Sequence, residues 1–237
     1  THGLKSAKTI LCLHGYMLGN PTQAQRMFRI EKLFGLGLDV ALFITPFHWK
    51  RAPESKAQKG IFLRPESAAM TCECMGQALY DLTSSCMILR SLGAERTGLI
   101  GASLGGYLSG LFICFQPVVD FASLIVPAVN LTKPIGPDAA RLPFPLDPPL
   151  RDKARMLYGL HSPLNFKPLI SKDRILIVAS RGDLLCPFEY TKLLCERWGQ
   201  PEHYFLRGGH WLIFNNRIRG TAWYGFLRRM GYLQGSS

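Results

Sequence analysis

Short apolar runs alternate along this chain with segments of helical period, and that alternation constrains its fold more than any other feature. Thr9-Ile-Leu-Cys-Leu13 is apolar without a helical repeat and stops at His14-Gly15, which suits a buried parallel strand running into a loop. Pro21 to Leu36 follows, with Met27, Phe28, Ile30, Leu33 and Phe34 at helical spacing. Asp39 to Thr45 is a second strand, stopped by Pro46. A long helix is predicted over Pro65 to Leu92, with Met75, Leu79 and Leu82 three or four residues apart and Gly93 as its terminator. Further strands are predicted at Thr97 to Ile100, Phe121 to Val129, Arg174 to Ala179 and His203 to Leu206. Helices are predicted at Leu104 to Phe115, Phe188 to Trp198 and Arg217 to Met230.

Strands and helices in this order make a parallel sheet joined by right-handed crossovers and covered on both faces. The expected fold is therefore α/β, a three-layer α/β/α sandwich with a mostly parallel sheet of about six strands. The rhythm breaks from Asn130 to Lys172, where prolines stand at 134, 137, 143, 145, 148, 149, 163 and 168 and the one helical stretch is weak, around Arg151 to Tyr158. A connection of that length is read as a cap or lid inserted at 130–172 over the sheet edge. A chain of 237 residues can bury one substantial core, so 1–237 is read as a single domain. The closing Gly235-Ser236-Ser237 fits a cloning remnant and is left out of the fold argument.

The formal charge of +12 invites a nucleic-acid partner, but the basic residues are scattered, with small clusters only at Lys50-Arg51 and Arg228-Arg229. No nucleic-acid partner is expected; attraction to anionic substrates or surfaces is the more modest inference. Apolar runs such as Leu111 to Phe115 and Phe121 to Val129 are interrupted well short of a membrane span. Thr1 to Lys8 is polar and Thr9 to Leu13 is too short for a signal core, so a cytoplasmic location is expected, with residues before Thr1 left open. The cysteine count is odd, 7, and the residues lie in apolar stretches or on a helix, as small buried hydrophobes of a reducing compartment do. Cys72-Glu-Cys74 is spaced too tightly for the usual zinc pairs, and neither a metal nor an organic cofactor is expected. Asn130-Leu-Thr132 fits a glycosylation sequon, without a secretion signal to make it matter.

The chemistry centres on Gly101-Ala-Ser103-Leu-Gly105, between an apolar strand and a helix. A sharp turn at Ser103 would strain its backbone and crowd the flanking positions, which gives the glycines a mechanical reason. An ordinary glycine-rich turn has the same composition, so these residues alone leave the matter open. A serine needs a base, and the base a third group to orient it. His210 in Leu206-Arg-Gly-Gly-His210 follows the last strand and is the candidate base. Asp183 in Ser180-Arg-Gly-Asp183 follows the strand before it and is the candidate acid, with Glu189 as fallback. Asp173 precedes its strand, and His203 begins one. For oxyanion donors, Leu104 N–H follows the nucleophile, and the loop His14-Gly15-Tyr16-Met17 supplies Tyr16 or Met17; His14 itself is read as a structural hydrogen-bonding residue. His48, Trp49, Lys50 and Arg51 follow the second strand at the same sheet edge. They either line the pocket and hold an anionic group or form a solvated loop anchored by one buried aromatic.

In this order these loops resemble the α/β-hydrolase superfamily over nearly the whole chain, from Leu13-His14-Gly15 through Ser103 and Gly182-Asp183 to Gly209-His210. A narrower resemblance, to the subgroup related to α/β-hydrolase domain-containing protein 18, is carried by His14-Gly15-Tyr16-Met17, by Pro46 to Arg51 and by Ser103-Leu-Gly-Gly-Tyr107. The leading antiparallel strands of the superfamily are missing from the pattern. The resemblance implies a serine hydrolase with a Ser103, Asp183, His210 triad acting on a small-molecule or lipid-like ester, as a carboxylesterase or lipase does. The same triad would serve a peptidase or thioesterase, and a hydrolase-like binding module is the non-enzymatic alternative.

Overall fold

The computed structural model describes residues 4–54, 62–63, 67–131, 156–211 and 217–234. Strands β1 (Lys8–Leu13), β2 (Asp39–Phe43), β3 (Arg96–Ala102), β4 (Phe121–Ile125), β5 (Ile175–Ser180) and β6 (Glu202–Leu206) form a sheet in the order β2-β1-β3-β4-β5-β6. Every adjacent pair is parallel. Alternate side chains of each strand enter opposite layers, as the period of two requires. Leu11, Leu13, Leu99, Leu124 and Ile177 pack with helices α3 (Ala68–Ser91), α4 (Leu104–Phe115) and α5 (Phe188–Arg197). Ile10, Cys12, Ile100, Ile125 and Val178 face the other way, onto α1 (Pro21–Phe28), α2 (Ile30–Gly35) and α6 (Arg217–Arg229). On that second face Phe226 meets Phe121 edge-on at 5.4 Å. Each aromatic buried in this way contributes about 1.5–3 kcal/mol by leaving water.

The sheet turns back on itself between β1 and β3, because β1 leads outward to β2 while β3 starts the opposite half. Loops following adjacent strands diverge at such a point and leave a crevice at the carboxyl edge. The loop after β1 and the turn after β3 therefore face each other there.

Several boundaries differ from the sequence pattern. The helix expected over Pro21 to Leu36 is broken at Arg29, which sits in the left-handed region with φ 52°. Leu33 lies five residues beyond Phe28, about 140° round a continuous helix, and the break turns both side chains into one core. The expected strand Phe121 to Val129 ends at Ile125, since Val126 has φ 40°. Its remaining residues are apolar because they are buried, not because they are paired. Ser67 caps α3, its hydroxyl accepting from Met70 N. Of the expected cap, 132–155 lies outside the described residues. The part that is described is a helical turn at 156–160 and a 3-10 turn at Pro163–Asn165. The described sheet is parallel throughout, where a mostly parallel one was expected.

Candidate active site

The chain passes from β3 into α4 through one residue. Ser103 has φ 54° and ψ −113°, a conformation that costs an L-residue strain and persists only where its surroundings impose it. Its N–H donates to the Ile125 carbonyl at 3.0 Å, and its own carbonyl accepts from Tyr107 at 3.0 Å and Ala128 at 3.0 Å. A Cβ at position 101 would strike the Gly105 carbonyl, and one at 105 would strike the Leu13 carbonyl, so both flanking glycines are sterically required. Gly15 packs against the same turn, where a Cβ would stand in van der Waals contact with Ser103 Cβ at 3.4 Å. Helix α4 starts at Leu104, which places its unpaired amide donors and the positive end of its dipole beside the Ser103 hydroxyl.

Asp183 and His210 come from the loops after β5 and β6. The strand register Ser180↔Leu206 sets the two loops side by side. Arg181 N then donates to Leu206 O at 2.9 Å and Gly182 N to Gly208 O at 3.0 Å. A Cβ at Gly182 would stand 2.8 Å from that Gly208 oxygen. Asp183 Oδ1 accepts from Leu185 N at 2.9 Å and Cys186 N at 2.8 Å, which leaves Oδ2 aimed at His210 Nδ1, 2.7 Å away. Nδ1–H of the imidazole donates to that carboxylate, which leaves Nε2 as the other ring nitrogen. Both residues are buried, and Trp211 stands edge-on to the imidazole at 5.3 Å.

Cys186 links this pair to the serine. Its amide binds Asp183, and its Sγ lies 3.8 Å from Ser103 Oγ. Among the described residues the Ser103 hydroxyl is not hydrogen-bonded to His210; it rests against this sulfur. Burial pushes the Cys186 thiol up to about 12, and the nearby Asp183 charge acts in the same direction. The sequence signal for Cys186 was faint, a cysteine three residues beyond the acid, at the spacing where an aspartate oxygen can accept a following amide.

The loop after β1 is braced from beneath by two histidines. His14 is fully buried; its Nδ1–H donates to Gly15 O at 2.7 Å, and Nε2 accepts from Thr45 N at 3.2 Å. Burial lowers its pKa to about 4, so it is neutral near pH 7. His48 Nδ1–H donates to Pro46 O at 2.8 Å, and its Nε2 accepts from Met17 N at 3.2 Å. Burial lowers the pKa of His48 as well. Met17 has φ 60°, and its amide is directed at His48.

Of the residues considered for substrate binding, His48 is thus a buried brace. Trp49 is exposed, with the Lys50 ammonium 5.1 Å from its ring centre. Arg51 pairs with Asp81 on α3 at 2.5 Å and donates to Ile44 O at 2.8 Å. Trp49, Lys50 and Arg51 line a groove between β2 and α3 whose lining includes none of Ser103, Asp183 or His210. Asp173 lies in a 3-10 turn before β5, the fallback acid Glu189 is in the first turn of α5, and His203 is bound to the Pro201 carbonyl. All seven cysteines are free. Asp183, Cys186 and His210 offer metal-binding atoms that all lie within 4.8 Å of one another.

An α/β hydrolase from Penicillium, GrgF, superposes with a TM-score of 0.68 at 13% identity over 96% of this chain and 92% of that one. The esterase Pf2001 of Pyrococcus furiosus gives 0.65 at 17% identity, over 94% of this chain and 83% of that one. This chain has the α/β-hydrolase fold. Est1E of Butyrivibrio proteoclasticus, solved with ferulic acid bound, shares the fold with a TM-score of 0.64 at 12% identity, over 96% of this chain and 91% of Est1E. By sequence the chain is 30% identical over 218 residues to the uncharacterized protein Rv2627c of Mycobacterium tuberculosis, covering 88% of this chain and 51% of that protein. The chain thus spans about half the length of the curated relatives it matches. No protein-family model matches it. No described helix is long and apolar enough to cross a membrane.

Proposed function

We propose that the chain is a serine hydrolase that cleaves carboxylic esters through an acyl-enzyme. The observation that carries this is the buried Asp183–His210 pair, joined through Cys186 to a strained Ser103 at the head of α4. In the first step the Ser103 hydroxyl turns from the sulfur toward His210 Nε2, gives up its proton there and attacks the ester carbonyl. Asp183 stabilises the resulting imidazolium and keeps its Nδ1–H in place. The oxyanion is met by the amides of Leu104 and Tyr16, the Met17 amide being directed at His48. Collapse of the tetrahedral intermediate expels the alcohol, which takes the proton from His210. Water then repeats the sequence on the acyl-enzyme and frees the acid.

Tyr16, Met17, Leu184 and Trp211 are exposed apolar side chains on the loops that carry these groups, and they support an apolar acyl or alcohol part in the substrate. The structural likeness to proteins named as esterases supports the same class. The segments His14 to Met17 and Pro46 to Arg51 keep the subgroup related to α/β-hydrolase domain-containing protein 18 as part of this proposal. A fluorophosphonate probe tests the nucleophile: wild type is expected to label, and Ser103→Ala is expected not to. Unlabelled wild type, or equal labelling of the variant, would overturn the proposal. Esters of rising acyl length, run beside a thioester and an anilide, define the substrate class.

A further inference from the structure

We propose that Asp183, Cys186 and His210 form an inhibitory site for a soft divalent metal ion such as Cd²⁺ or Zn²⁺; this rests on the function proposed above. The three donors come from two loops that are hydrogen-bonded to each other, and all three residues are buried. Their ligand atoms already lie within 4.8 Å of one another. A tetrahedral zinc centre would draw them together, since zinc–nitrogen and zinc–sulfur bonds run at about 2.0 to 2.3 Å, and the larger Cd²⁺ needs less contraction.

A thiol with an imidazole and a carboxylate is the donor mixture that selects borderline and soft ions over Mg²⁺ or Ca²⁺. Asp183 is built to support the imidazole whether or not it binds the metal directly, because a carboxylate behind a ligating histidine orients it and raises its basicity. Ser103, only half-buried, stands 3.8 Å from the sulfur, where a fourth ligand or a water molecule would enter. On capture the metal–sulfur bond replaces the S–H bond of Cys186, and the proton leaves to solvent with no change of oxidation state. Once His210 is a ligand it cannot accept the Ser103 proton, and ester hydrolysis stops.

The test is a Cd²⁺ titration of the wild-type chain, followed by the ultraviolet absorption of the cadmium–thiolate bond and by hydrolysis of a short p-nitrophenyl ester. The expected result is saturable absorption with a matching loss of hydrolysis, both reversed by EDTA and neither produced by Mg²⁺. Cys186→Ser should lose the absorption and need about tenfold or more Cd²⁺ for half-inhibition, measured against its own metal-free rate. His210→Gln should weaken the absorption in the same way, which keeps the test decisive where Cys186→Ser does not fold. Ser103→Ala should retain the absorption, so metal capture is read independently of catalysis. Undiminished absorption in Cys186→Ser and His210→Gln, or full wild-type hydrolysis in saturating Cd²⁺, would overturn the metal site. Absence of hydrolysis in metal-free wild type would instead overturn the proposed function, with the absorption still deciding the metal site.

Discussion

Asp183 uses its two carboxylate oxygens for different tasks. One accepts the amides of Leu185 and Cys186, and the other accepts Nδ1–H of His210. Every partner is a donor, so an amide in place of the carboxylate must turn its NH₂ toward one of them. Asp183→Asn is therefore expected to lower kcat about 10³–10⁴-fold with a much smaller change in KM. Steady-state kinetics measure this, with circular dichroism to confirm the fold; a loss below tenfold would remove Asp183 from the acid's role. Glu189→Gln, in the first turn of α5, should leave kcat unaltered. The positions of Ser103, Asp183 and His210 were legible in the sequence because each follows a predicted strand, which sets all three at the carboxyl edge of the sheet. Cys186 was not legible, because its importance lies in a contact with Ser103 across 83 residues of sequence.

Elements are selected by burial, and their ends by backbone strain. The apolar period marked the span of α1 and α2 as helical but ran them together; the structure lays both on one face of the sheet. An arginine gives no local signal for a left-handed residue. Arg29 nevertheless adopts φ 52°, and its N–H completes the last turn of α1 by donating to the Gln25 carbonyl. A left-handed L-residue costs roughly 1–2 kcal/mol, and glycine costs roughly 0.5–1 kcal/mol in the unfolded chain. Arg29→Gly is thus expected to stabilise by about 0.5–1 kcal/mol, raising Tm by about 2 °C in a thermal melt. A fall in Tm would mean that the arginine side chain holds contacts worth more than the strain. The same logic explains β4, where apolar residues continue to Val129 after the strand has ended.

At the scale of the whole molecule, the carboxyl edge of the sheet is stabilised by histidines kept neutral by burial. In the unfolded chain His14 titrates near its ordinary value of about 6.5, and in the native protein burial lowers this to about 4. Between those values the unfolded state binds more protons, so stability rises with pH. His48, shifted in the same direction, adds to the effect. Stability from His14 is complete above about pH 6.5 and is lost as pH falls toward about 4, with His48 acting in the same direction. Urea midpoints at a series of pH values are expected to drop steeply through that window. A flat profile would contradict the assignment of both as neutral buried groups. Protonated His48 could no longer accept the Met17 amide, so the loop after β1 should loosen as pH falls below the ordinary histidine range.

By itself the sequence determined the α/β class, the succession of strands and helices and the candidate loops, because burial on both faces makes each strand a short apolar run and burial on one face gives each helix a period of 3.6. It also pointed to the glycines around Ser103, since a chain turning that sharply leaves no room for a Cβ. Only the tertiary structure decided that His48 is a brace, that Arg51 is tied to Asp81, and that Cys186 lies between the acid and the serine. Those facts depend on which loops the β1–β3 reversal and the β5–β6 register bring together. Contacts of that kind join residues far apart in the chain, and no local period records them.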